Sequence, residues 1–202
     1  MRDTINQTAR RVPTWAVYLL GLAPMVWIVW QLVSGGYGPD PVRGVETELG
    51  QWGLKFLIAS LVVTPLRWGG INLLKFRRAI GLLAFSYIVL HLAAWVSLDL
   101  GFRWGQIATD LYKRPYILVG MTGLLAMVPL AVTSNNAALR RLGGAAWRRL
   151  HKLAYLAAAA GAVHFVMIGK VWKVESLTYL AIVVALLLVR AIRQGKQRLQ
   201  AA

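Results

Sequence analysis

Six apolar stretches divide the chain, at about 14–34, 50–66, 79–98, 116–133, 150–169 and 176–189, and each is bounded by charged or turn-forming residues. A helix that crosses the hydrocarbon of a bilayer needs about 20 apolar residues, so six of them would use roughly 120 positions of the 202 in the chain. Short loops and tails remain. Composition agrees: 58% of residues are hydrophobic and 15% charged, and mean hydropathy is +0.57, against about 45–50% apolar and a quarter charged in a soluble domain. The chain is predicted to be one all-α domain over 1–202, an integral membrane bundle of six transmembrane helices with no internal repeat. It has no cysteine, which excludes disulfides, iron–sulfur clusters, thiol catalysis and thiolate metal sites.

The charge is +16, with 23 Lys+Arg against 7 Asp+Glu. A surplus of that size can mark a nucleic-acid binder, so its distribution decides the reading. The N-terminal tail, the second and fourth loops and the C-terminal tail hold 16 of the 23 basic residues and only one acid, Asp3. The opposite loops hold 7 basic residues, including Arg43, Arg114 and Lys170, and six of the seven acids. Short loops rich in Lys and Arg stay cytoplasmic, so both termini are expected on the cytoplasmic side of the membrane. The basic face then meets anionic lipid, and no nucleic-acid partner is expected. Arg10-Arg11 before an apolar run resembles an export signal, but the run is about 20 residues long and no small-x-small cleavage site follows. A retained first span is the expectation. Trp15, Trp52, Trp68, Trp104, Trp147 and Trp172 fall near span ends, where amphipathic rings collect.

The chain has three histidines, all in the third and fifth spans. An ionisable residue within a span is costly and marks function by default. His91 follows Arg78 by 13 residues, and His164 follows Arg149 by 15. If each arginine marks the cytoplasmic edge of its span, the two histidines differ in depth by about 3 Å and face each other about two-thirds of the way to the outer surface. Two imidazoles at one depth, with no carboxylate or thiolate beside them in the spans, suit the two axial positions of a haem iron. Small residues under them, Gly161, Ala160 and Ala157 below His164 and Ala84 with Tyr87 below His91, would leave room for a flat macrocycle. The alternatives are close helix packing with the histidines hydrogen-bonded across it, or a copper or zinc site that lacks a convincing third ligand. His151 opens the fifth span about 20 Å below His164. It is a candidate ligand of an inner cofactor, but its counterpart level on span three is Arg77 or Arg78. An interfacial role is the alternative.

Phe76-Arg77-Arg78-Ala79-Ile80-Gly81-Leu82-Leu83-Ala84-Phe85 with Tyr87 and His91 resembles the third span of the ferric-reductase-like transmembrane family, and Trp147-Arg148-Arg149-Leu150-His151-Lys152-Leu153-Ala154-Tyr155 with His164 resembles its fifth. Lys113-Arg114-Pro115-Tyr116-Ile117 and Leu130-Ala131-Val132-Thr133-Ser134 extend the likeness to the haem-binding membrane subunits of bacterial periplasmic protein-methionine-sulfoxide reductase systems. That resemblance implies haem b, an associated FMN, electrons drawn from the quinone pool, and a separate periplasmic molybdopterin-containing catalytic subunit that repairs oxidised methionines. Sulfoxide reduction itself would then lie on that other subunit. Compared with NADPH oxidases and ferric reductases, the chain lacks the second histidine of span three, and no glycine-rich dinucleotide motif appears. Electrons are therefore expected from a diffusible donor or another protein. Arg77, Arg78, Arg148 and Arg149 would meet haem propionates, a flavin phosphate or lipid headgroups. The competing functions are a stand-alone transmembrane ferric or cupric reductase, and a membrane assembly factor or transporter without redox activity.

Overall fold

The computed structural model describes residues 2–169 and 171–200; Lys170, counted above among the basic residues of the opposite loops, lies outside them. Nine α-helices make up the described chain: α1 (Arg2–Arg11), α2 (Thr14–Val33), α3 (Pro41–Trp68), α4 (Leu74–Ala94), α5 (Trp104–Lys113), α6 (Pro115–Val132), α7 (Asn136–Leu150), α8 (Leu153–Ile168) and α9 (Val174–Leu199). A π-helical turn, Trp95–Asp99, continues α4. Helices α2, α3, α4 with its π turn, α6 and α9 are each long and apolar enough to cross a membrane, and α7 with α8 makes the sixth candidate, bent by 41°. The all-α membrane bundle is as expected.

Its boundaries are not all as expected. Helix α3 begins at Pro41, some nine residues before the apolar run, because Asp40 caps it by accepting from the Arg43 N–H and Pro41 occupies the first turn. Val45 and Leu49 of this early segment are buried, so the polar residues around them hid a packed turn. The fifth stretch begins at Leu153, after the break from α7, and α7 itself is kinked at Gly143, where φ is +75°.

Helix α3 packs along α4, and α6 along α8. Ala84, Ala158 and Ala162 are fully buried between helices, the small-residue contact that lets membrane helices approach. The outer faces are the reverse: Leu19, Leu20, Val26 and Trp30 of α2 are all exposed, a surface that suits lipid and would be a liability in water.

Prolines inside spans leave backbone carbonyls without donors, and hydrocarbon supplies none. Pro65 cannot donate to the Leu61 carbonyl one turn earlier; Arg190 of α9 donates to it through Nη2 instead. Arg190 is only 3% exposed, and its guanidinium lies over the Tyr155 ring at 5.4 Å. Near Pro24, the Tyr87 hydroxyl donates to the Gly21 carbonyl at 2.7 Å.

One end of the bundle gathers the basic segments. Asn6 of α1 donates to the Gly70 carbonyl and accepts from the Asn72 N–H, while Lys75 Nζ donates to the carbonyls of Arg10 and Val12. Arg78 donates to Asn136, and Arg193 lies over the Trp68 ring. The charge segregation read along the sequence is thus a segregation between the two ends of the fold. Replacing Arg190 by Met should lower stability by about 1–3 kcal/mol, the usual cost of stranding a buried acceptor. Pro65→Ala in that background should recover most of the loss, because it returns an N–H to the Leu61 carbonyl. Unfolding midpoints in micelles measure the cycle; a double variant no more stable than Arg190→Met would detach the guanidinium from that carbonyl.

Candidate functional site

At the end opposite the basic one, α3, α4, α6 and α8 enclose a cavity of about 440 Å³, within the about 300–1,000 Å³ of ligand pockets. His91 from α4 and His164 from α8 both line it. Their ring centroids stand 6.3 Å apart and their planes cross at 78°. The equal depth inferred from the arginine markers is realised as a facing pair.

Each imidazole is fixed by one nitrogen. His91 Nδ1 lies 2.8 Å from the Glu46 carbonyl oxygen of α3, and His164 Nδ1 lies 2.7 Å from that of Tyr116 of α6. A carbonyl can only accept, so each Nδ1 carries the proton and each Nε2 keeps a lone pair. This is the tautomer a metal-bound histidine needs, with the second nitrogen oriented by a backbone oxygen. Imidazole–metal bonds of about 2.0 Å through both Nε2 atoms put the ring centres ~6 Å apart, and the observed 6.3 Å fits one iron between them. Among the described residues no cluster of three His, Cys, Asp or Glu could hold a bare metal ion.

The walls differ in part from the sequence-based expectation. Gly161 and Ala157 do line the cavity below His164, whereas Ala160 does not and faces Gly123. Tyr87 does not; its hydroxyl is turned to α2, and Ala84 packs in the main core with Leu54 and Leu61. The space comes instead from Gly50 of α3 and from Gly120 and Gly123 of α6. The recurrence of Gly-x-x-Gly at 50–53 and 120–123 is the signal that would have found them. The mouth is polar: Asp40, Arg43, Glu46, Asp99 and Arg114 line it. Arg114 is paired with Asp110 at 3.5 Å, and Asp110 also accepts from Gln106 at 2.7 Å.

His151 does not join this cavity. It sits in the break between α7 and α8, stacked on Trp147 with ring centroids 3.7 Å apart. Thr133 Oγ1 spends its proton on the Pro129 carbonyl, so it accepts from His151 Nε2 at 3.1 Å. Trp147, expected as an interfacial belt residue, donates its indole N–H to the Thr133 carbonyl. Arg77 and Arg78 are neighbours of His151 and not of the His91–His164 pair.

The ferric reductase like transmembrane component family matches residues 47–162, a segment that contains both His91 and His151 but stops two residues short of His164. Among curated proteins, the protein-methionine-sulfoxide reductase heme-binding subunits MsrQ of Brucella anthropi, Brucella ovis and Brucella canis are each 48% identical over 180 residues, covering 89% of this chain and 81% of theirs. No solved structure matches. By this identity and coverage, the chain belongs to the ferric reductase like transmembrane component family, among the protein-methionine-sulfoxide reductase heme-binding subunits.

Proposed function

We propose that the chain is a b-type haem electron-transfer subunit of the bacterial inner membrane, with His91 and His164 as axial ligands. The observation that carries this reading is the paired imidazoles, 6.3 Å apart, each with Nδ1 anchored to a carbonyl and Nε2 left to ligate. Haem b, when bound, supplies one-electron ferric–ferrous chemistry. The chain's part is to hold, orient and seal. Leu54, Leu57, Leu124 and Met127 line the apolar wall and keep water from the iron site, while Arg43 and Arg114 at the mouth provide cations for the carboxylates of the macrocycle. The arginines first considered for that role, Arg77, Arg78, Arg148 and Arg149, belong to the other end and are better placed for lipid headgroups.

The name of the Brucella relatives, heme-binding subunits of protein-methionine-sulfoxide reductase, supports the same reading for this chain and a separate catalytic subunit as its electron acceptor. In the fuller proposal both termini are cytoplasmic, the donor is membrane quinol, FMN is an associated cofactor, and the acceptor is a periplasmic molybdopterin-containing subunit. The basic end then faces the cytoplasm and the cavity mouth faces the periplasm, nearest the acceptor. A ligand role for His151 in an inner cofactor would run through Nδ1, because Nε2 serves Thr133.

The reduced-minus-oxidised spectrum of the purified protein should be that of a six-coordinate b haem. His91→Ala or His164→Ala should each abolish it; wild-type low-spin spectra in both variants would refute the pairing. The near-perpendicular planes further predict a strongly anisotropic low-spin electron paramagnetic resonance signal. Donor identity is tested by rapid mixing: a quinol analogue should reduce the reconstituted protein, and NADPH without a flavoprotein should not. Inertness to quinol, with reduction by NADPH plus a flavoprotein, would assign the chain to a reductase chain instead.

A further inference from the structure

We propose that Gly50 and Gly120 are positioning residues for the two ligand histidines, each being the notch through which an imidazole reaches the carbonyl one helical turn earlier, and that together they set the potential of the iron. The inference rests on the reading of His91 and His164 as axial ligands. The two sites have the same build. In α3 the acceptor for His91 is the carbonyl of Glu46, and Gly50 follows four residues later. In α6 the acceptor for His164 is the carbonyl of Tyr116, and Gly120 follows four residues later.

Helix geometry makes that spacing meaningful. The carbonyl of residue i already takes the N–H of residue i+4, and the Cβ at i+4 leans back toward the helix N-terminus, over that carbonyl. A side chain there occupies the path by which a ring from a neighbouring helix reaches the oxygen's second lone pair. A Cβ on Gly50 would stand 3.0 Å from His91 Nδ1 and 3.2 Å from its Cε1; one on Gly120 would stand 2.8 Å and 2.9 Å from the same atoms of His164. A second glycine follows each notch by three residues and serves packing. Gly53 faces Ile88, whose Cδ1 a Cβ would meet at 2.4 Å, and Gly123 faces Ala160 and the Ala157 carbonyl at 3.4 Å. The repeat therefore separates two jobs: the later glycine lets the helices approach, and the earlier one admits the imidazole.

The Nδ1–H bond makes the ligand more basic and so favours the ferric iron. Alanine at 120 must displace the His164 ring, lengthen that bond and rotate the ring plane away from the 78° crossing. Alanine at 50 asks for a few tenths of an ångström and should act in the same direction, more weakly.

The test uses the purified full chain carrying its haem, as wild type, Gly50→Ala, Gly120→Ala and, as the packing control outside the cavity lining, Gly53→Ala. Potentiometric titration and the low-spin resonance signal are read beside haem content. Gly120→Ala should shift the reduction equilibrium about tenfold toward the ferrous form, 59 mV for a one-electron couple, and move the largest g value. Gly50→Ala should shift both less, and Gly53→Ala neither. Wild-type potentials and signals in both notch variants would overturn the proposal, as would an equal shift in Gly53→Ala. If Gly120→Ala does not accumulate in the membrane, Gly50→Ala decides alone by the same two readouts. A wild-type protein without bis-histidine haem would fail differently, removing the ligand reading on which the notches depend.

Discussion

Two hydrogen bonds, from His91 to the Glu46 carbonyl and from His164 to the Tyr116 carbonyl, decide how the rest of this molecule is arranged. An imidazole within a bilayer span is expensive unless its polar atoms are engaged. Each bond gives one nitrogen a backbone partner and ties a histidine helix to its neighbour, α4 to α3 and α8 to α6. Those are also the pairs that pack along the glycines at 50, 53, 120 and 123. The cavity between the pairs follows from the same geometry, since glycine removes the side chains that would otherwise fill it. A single device thus fixes tautomer, helix pairing and empty volume.

How much of this could be read from the sequence depended on whether the relevant distance ran along one helix or between two. The shared depth of His91 and His164 needed only a constant rise per residue and the arginines that mark one edge of each span, so it was legible. The partners of the histidines were not. Glu46 lies in a polar segment that the apolar count assigned to a loop, and only the Asp40 cap with Pro41 reveals that the helix starts there. Ala84 and Tyr87 were assigned to the cavity because they lie below His91 on its own helix, yet the ring reaches toward α3 while Tyr87 reaches toward α2.

The same contrast holds at the basic end. Arg190 reads in sequence as the charge that ends the sixth span, but α9 continues to Leu199 and the arginine is buried against α3. The signal for it was Pro65, which leaves a carbonyl inside a span without a donor. A proline in a membrane helix implies a donor from elsewhere, although the sequence does not say which helix provides it. For His151, read as opening the fifth span, what could not be foreseen was the break at 150–153, which sets its ring on Trp147.

The basic end shows what a topology signal demands of a fold. Six of the seven acids lie in the segments at the other end, and among the described residues the one ion pair, Arg114 with Asp110, is there too. The sixteen cations of the basic segments therefore have almost no carboxylates to meet. Lys75 rests on two carbonyls, Arg190 on a carbonyl and a tyrosine ring, Arg193 on a tryptophan ring. Rings and carbonyls stabilise a cation without cancelling its charge. The end thus keeps its positive field while its side chains are held in place, which is the combination that attraction to anionic headgroups requires. Charge asymmetry along the sequence thus dictates how the cations of this end are anchored within the protein: by backbone oxygens and aromatic faces.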